Sequence, residues 1–561
     1  CGTCNAQSGI GDPYLPFREI LQMLTGDVEP RRAGGEITRD HARRLWALLP
    51  DAAPVLVEAG PDLIGRLLPG PALVARVEAF AERPATAPWR AQLAALARLH
   101  AAPDAPAAAG VAQAALFEQL TDVLRALARR YPLLLLLDDL QWADAGSLSL
   151  LFHLGRRLSG SRILVVSAYR PGEVALGRQG ERHPLEMVVN ELGREWGETA
   201  VDLDQAEGRA FVDALLDSEP NRLDEAFRAT LARHTGGNAL FTVELLRSLQ
   251  EHGDLERDEV GRWVAGRSLN WGRIPPRVEA VIAERIARLP PAWHAALVAA
   301  SVEGETFTAE VVARALDAGE GEVVRLLSGP LSKQHRLVRP LRLERLGARR
   351  LSRYRFRHDL FQRYLYRQLD GVERARLHEA VGTALEALYG EDAAEMVVLL
   401  AHHFRAAGLA AKTVAYLCRA GERAVRLSAS VEACAHFQSG LALLHALPPS
   451  LARNRQELAL QLGLSTALIA TRGWAAPERA GALARAYELC QGTEGVETAQ
   501  RVQTLYSLAV LSQARGEFQA VLDWGQPFTA SQNSLLPVIT WNGCSRAMIP
   551  GATARWGCSF P

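Results

Sequence analysis

The chain has 561 residues with 63 basic and 63 acidic side chains, so its formal net charge is zero. That length exceeds one hydrophobic core and suits about three or four domains. Balanced charge gives no electrostatic footprint for nucleic acid or an anionic membrane, no apolar run approaches the ~20 residues that span a bilayer, and no signal peptide opens the chain.

Residues 1–30 read as a strand end, a loop at Ser8-Gly9-Ile10-Gly11-Asp12-Pro13 and a helix from about Phe17. The Gly-x-Gly lacks a following Lys-Ser/Thr, which makes it a weak nucleotide loop. Cys1 and Cys4 form a CxxC with no second pair at zinc-ligand spacing. Sparse, scattered thiols fit a reducing cytoplasm. Residues 30–110 are rich in Ala, Pro and Arg and mostly helical, with breaks near 103–107.

A helix at about 111–130 leads into Leu133–Leu137, five leucines ending in Asp138 and Asp139. An uninterrupted apolar run predicts a parallel strand covered on both faces, and open α/β sheets place ligands at the carboxyl ends of such strands. Two acids there suit one group that holds Mg²⁺ and one that orients or activates water. Gly146–Leu158 reads as the next helix. Arg162–Ala168 reads as a second buried strand, followed by Tyr169-Arg170-Pro171.

Helical patterning resumes near Gln205 and breaks at Thr235-Gly236-Gly237-Asn238. After Pro275-Pro276 come helical stretches near 277–288, 291–301 and 307–316, then Val323–Leu327 and apolar/basic runs at Leu337–Leu341 and Arg353–Phe356. Helices followed by a small hairpin predict a winged-helix module. Residues 371–525 read as paired amphipathic helices with turns at Ser428–Val431 and Gly473–Pro477. His402, His403 and His436 are read as ordinary residues of that array. Gln526–Pro561 loses the helical period, which suggests a shifted reading frame.

Asp138-Asp139-Leu140-Gln141-Trp142-Ala143-Asp144 sharpens the acid pair. Here the chain resembles the STAND class of signal-transduction ATPases, in which a strand ending in DDLHWAD or a close variant is typical. The resemblance runs from the first residues to about 525. It implies that Asp138 supports Mg²⁺, Asp139 acts on the attacking water and Arg170 is the sensor arginine toward the γ-phosphate. Gly236-Gly237-Asn238-Ala239-Leu240-Phe241 looks like the GNPLF element of a helical lid, with Gly237 and Asn238 near the nucleotide. Ala239 replaces the usual proline, and Asn238 also reads as a helix N-cap. Tyr354–Asp359 resembles the FRH or MHD element, which makes His358 a candidate contact to the β-phosphate of ADP, or else a capping residue. Leu505, Leu508, Ala509, Gly516 and Phe518 resemble a tetratricopeptide-type repeat, a surface for a protein or small-molecule ligand.

The chain has two lysines, Lys333 and Lys412, both far from the first strand. Neither can serve a phosphate loop, which needs Gly-rich backbone N–H groups and a lysine. The family places that loop just upstream of the segment that Cys1–Phe17 resembles. N-terminal truncation is therefore the expectation, ahead of true loss, with poor ATP binding and negligible turnover by the chain as written.

The expected fold is a truncated α/β P-loop NTPase core (1–200), an all-α helical lid (201–270), a winged helix (271–370), a TPR-like α-solenoid (371–525) and an irregular tail (526–561). The expected role is a cytoplasmic nucleotide-dependent switch using ATP/ADP and Mg²⁺, oligomerising with its own copies when open. The rivals are a repeat scaffold with a structural ATPase-like part, and a transcription activator using the basic wing (Arg336, Arg339, Arg342, Arg345, Arg349, Arg350). The charge balance argues against nucleic acid as a partner.

Overall fold

A computed structural model describes residues 1–4, 12–33, 37–80, 88–99, 113–177, 182–197, 199–203, 208–266, 269, 271, 278–346, 349–390, 395–492, 496–517 and 519–520. The loop at 8–11, the breaks at 103–107, Pro275-Pro276, Phe518 and the tail 526–561 lie outside the described residues.

Three strands form a parallel sheet in the order β1 (Gly2–Thr3), β2 (Leu133–Asp138), β3 (Ile163–Ser167). Parallel pairing requires crossovers. The helices Gln113–Ala128 and Ala145–Gly155 belong to those connections. The expectation of strands covered on both faces is corrected. Leu133, Leu135 and Leu137 are buried, whereas Leu134 is 58 % exposed, Leu136 39 %, Leu164 61 % and Val166 46 %. Side chains alternate along a strand, so one covered face leaves every second leucine outside. Leu135→Ala should therefore cost about 2–5 kcal/mol of stability and Leu134→Ala less than about 1 kcal/mol. Chemical unfolding of the two variants checks the contrast.

Residues 208–266 form a small helical body, closed by a hairpin of β4 (Leu255–Arg257) and β5 (Trp263–Ala265). Val212, Phe227, Leu231, Phe241 and Leu245 fill its separate core. The helices Val278–Ala287, Pro291–Glu303, Ala309–Ala315 and Glu320–Ser328 follow. With them goes an antiparallel sheet ordered β6 (Thr306–Thr308), β8 (Arg349–Phe356), β7 (Val338–Leu346). This is the helices-then-hairpin order of the sequence pattern. Its core (Phe307, Val312, Leu327, Phe356, Phe361) runs without a break into Val381, Leu385 and Phe404 of the next helices.

From Gly371 to Arg515 the chain is a succession of helices, each packed on its sequence neighbour. Phe437 shows how closely they approach. A Cβ on Gly421 would lie 2.5 Å from its ring and one on Gly463 2.4 Å, so glycine is required at both places. Val414, Leu427, Ala433 and Phe437 share one hydrophobic core with the sheet and its helices. Residues distant in sequence therefore put the first repeats directly against the strand-bearing part.

Candidate functional site

Asp138 ends β2, and Asp139 takes a left-handed backbone (φ 58°) that turns the chain into a short helical turn, Leu140–Trp142. Aspartate tolerates that region better than most residues. The Asp139 N–H donates to Asp138 Oδ1 at 3.0 Å. Gln141, 2 % exposed, joins both strand ends: its Nε2 donates to Asp139 Oδ1 at 2.8 Å and its Oε1 accepts from Arg170 N at 3.1 Å. Buried His183 fixes Gln141 from behind. Its Nε2 donates to the Gln141 carbonyl at 3.0 Å while Nδ1 accepts from Leu185 N at 3.2 Å, which defines the neutral tautomer.

Arg170 lies next to the acids and is engaged by a residue far along the chain. Its Nη2 donates to Asp359 Oδ2 at 2.7 Å, and Nη1 lies 3.5 Å from Glu173. Arg363 closes the square, 3.0 Å from Glu173 and 3.3 Å from Asp359. Burial by itself would raise Asp359, but hydrogen bonds from His358 and Arg170, and their charges, hold its carboxyl well below the usual range. Burial lowers Arg170, and Asp359, then Glu173 and Asp139, more than offset it. Arg355 behaves likewise: Glu305 at 2.7 Å, then Asp139 and Asp138, outweigh its desolvation. The hairpin module thus presents cations to the acid pair.

His358 caps the helix Asp359–Gln368. Its Nδ1 lies 3.2 Å from Leu360 N and 2.8 Å from Asp359 Oδ1. The first contact uses Nδ1 as an acceptor and the second uses it as a donor, so a single tautomer makes one or the other. Gly237 and Asn238 lie at the turn before the helix Ala239–His252. Asn238 Oδ1 accepts from Phe241 N at 3.0 Å as an N-cap, and a Cβ on Gly237 would lie 2.2 Å from Gly208 Cα. Among the described residues no hydrogen bond or ion pair connects these two to Asp138, Asp139, Arg170 or His358.

A second feature was not legible in the sequence. Asp144 caps the helix Ala145–Gly155 through Ser147 N at 2.8 Å, and Glu432, from the repeats, accepts from Gly146 N at 2.8 Å. The two carboxyl groups are 4 % and 3 % exposed as residues. Burial first, and then the Glu432 charge, push Asp144 up to about 7; burial also raises Glu432. Beside them Arg423 reaches Asp12 at 2.6 Å, and Arg66 donates to Ser428 Oγ at 3.0 Å. Sequence spacing carries no signal for a contact across 286 residues. Gln141 and Asp359 were visible as motif letters, yet no role could be attached to them.

Residues 17–166 match the family model described as AAA ATPase domain. An uncharacterized protein of Rhizobium meliloti (strain 1021) is 26 % identical over 354 residues, 63 % of this chain and 32 % of the relative, so the chain spans about a third of that protein. A solved structure, a Signal Transduction ATPase with Numerous Domains (STAND) protein with a tetratricopeptide repeat sensor from Pyrococcus horikoshii, is 13 % identical. That alignment covers 74 % of this chain and 59 % of that one, with a TM-score of 0.31.

Proposed function

We propose that this chain, which carries an AAA ATPase domain at residues 17–166, is part of a STAND-type regulatory ATPase whose nucleotide state is read by the hairpin module and whose helical repeats take a protein or small ligand. The observation that carries this reading is the ion pair of Arg170 with Asp359, 2.7 Å long and spanning 189 residues. It ties the arginine beside the acid pair to the first turn of the helix that follows the hairpin. An arginine held there is withheld from a phosphate, and release of the module would free it.

Asp138 and Asp139 suit magnesium chemistry. Carboxylate oxygens are the donors that Mg²⁺ prefers, and Mg²⁺ commonly needs only one or two of them, together with substrate phosphates. Among the described residues no group of three or more His, Cys, Asp or Glu could hold an ion alone. A magnesium ion held there would supply positive charge against a phosphate chain. In this reading Asp138 holds the ion, Asp139 orients the attacking water, and Gln141 fixes Asp139 relative to Arg170. Glu432 on the helix after the acid pair gives repeat occupancy a physical route to the site, since ligand effects require different affinity for two states. We place the protein in the cytoplasm. Among the described residues no helix is long and apolar enough to cross a membrane.

The 561 residues contain no Gly-rich loop followed by Lys-Ser/Thr, so the test uses a chain extended with such a loop ahead of β1. Asp139→Asn should lower ATP turnover by about 100-fold or more while Mg-ATP binding changes only a few-fold. Unchanged turnover would leave the repeat scaffold as the reading.

A further inference from the structure

We propose that the open end of the β7–β8 hairpin, formed by Arg336, Arg339 and Arg357 with Arg247 from the neighbouring helical body, is a binding site for a polyphosphate anion.

The register builds it. Val338 pairs with Phe356 and Arg339 with Arg355, and Arg357 N donates to the Leu337 carbonyl at 2.9 Å. Residues directly opposite, and their diagonal neighbours two positions on, share a face. Arg339, Arg355 and Arg357 therefore stand on one face, while Val338, Tyr354 and Phe356 fill the core on the other. Arg336 enters from the turn before β7 with a left-handed backbone, φ 51°.

Charge balance separates these arginines from Arg353 and Arg355 of the same hairpin. Arg353 and Arg355 are paired with Glu303, Glu344 and Glu305. Arg336, Arg339 and Arg357 meet no carboxylate within ion-pair distance among the described residues. Burial, then Arg247, Arg336 and Arg339 in turn, lower Arg357 from its ordinary value, and Glu244 opposes them. Glu244 is itself engaged by Arg285 and by Arg247, the latter at 3.0 Å. Like charges held together without a counter-charge are costly, and an anion with several oxygens removes that cost through charge-assisted, often bidentate hydrogen bonds. A single phosphate is small for guanidinium groups spread over two strands and a helix; a chain of two or three phosphates spans them.

Two sources share this chemistry, the phosphate chain of a nucleotide and free inorganic polyphosphate. The site does not depend on the hydrolysis reading, because none of its residues belongs to the acid pair. The probe is sodium tripolyphosphate, titrated calorimetrically into the 561-residue chain without magnesium, with ADP in a parallel arm. One equivalent should bind, and Arg357→Gln and Arg339→Gln should each weaken it at least 10-fold. Arg350→Gln, far along the same hairpin, should change it less than 2-fold. Equal binding of the two probes identifies free polyphosphate as the source, and tighter ADP binding identifies the nucleotide. In the absence of ligand, Arg357→Gln should melt at the same temperature as the parent or higher, because it relieves repulsion. No heat at millimolar probe, an equal loss in Arg350→Gln, duplex DNA binding where tripolyphosphate fails, or a lower melting temperature for Arg357→Gln would each overturn the proposal.

Discussion

Replacing Asp359 by alanine should open the molecule at the junction between the sheet and the hairpin module. Asp359 is the shared acceptor for Arg170 at 2.7 Å and Arg363 at 3.3 Å, and it is also the partner of His358 at 2.8 Å. Its removal leaves two guanidinium groups facing each other with Glu173 as the remaining acid. Exposed pairs contribute at most about 1 kcal/mol and buried ones cost about 3–5 kcal/mol to break. Arg170 is 41 % exposed at its side chain and Asp359 13 %, which points between these limits, to about 2 kcal/mol. That shifts a closed-to-open ratio about 30-fold. The readout is amide hydrogen exchange in the helix Asp359–Gln368, which should become faster in Asp359→Ala, and equally so in Arg170→Ala. A double substitution no worse than either single one identifies the pair as the shared element, whereas additive losses would show that the two residues act separately. Acid should have the same effect. Because the folded state holds Asp359 below its ordinary value, its contribution is present above about pH 4 and is lost as pH falls further.

The second large effect concerns Asp144 and Glu432, and its sign is opposite. Both acids are raised in the folded state, so the folded chain retains protons that the unfolded chain has released. Stability then falls as pH rises from about 4 toward 7, by up to about 1.4 kcal/mol per pH unit for each proton retained. Tyr14, Ser147 and the amides of Ala145 and Gly146 face the pair. Glu432→Gln preserves an oxygen for Gly146 N and removes one charge. This variant should melt at a higher temperature than the parent at pH 8 and near the parent's value at pH 5. Parallel melting curves for the two proteins across that range would show that the pair does not titrate. Glu432 Oε2 is buried without a hydrogen-bond partner among the described residues, a position the amide of glutamine would also leave unsatisfied. The gain at pH 8 is therefore a measure of charge relief alone.

Local signals read well where the physics is local. The leucine run gave β2, its two acids marked the strand end, and Asn238 and His358 were readable as caps because an N-cap needs only a side-chain oxygen or nitrogen two or three residues from an amide. The glycine breaks and the helical period outlined the repeats for the same reason. The parallel strand-helix-strand unit and the helical array followed from the order of those periods along the chain, whereas the P-loop type of core and the lid were implied by the resemblance to STAND ATPases.

Which leucines of β2 are covered is another matter. A continuous apolar run is the same whether one face or two are packed, and the exposure of Leu134 and Leu136 depends on what other segments supply. The partner of Arg170 was beyond reach for a related reason. Charge pairing acts over a few ångströms in space and leaves no trace in spacing when its members are 189 residues apart. The same holds for Glu432 against Gly146, where a helix terminus is capped by a different part of the chain. The sequence by itself determined which residues could carry chemistry and which elements would present them. Only the tertiary structure decided that Asp359 takes the arginine, that Gln141 joins the two strand ends, and that the repeats bury a second acid beside Asp144, because each depends on how distant elements pack.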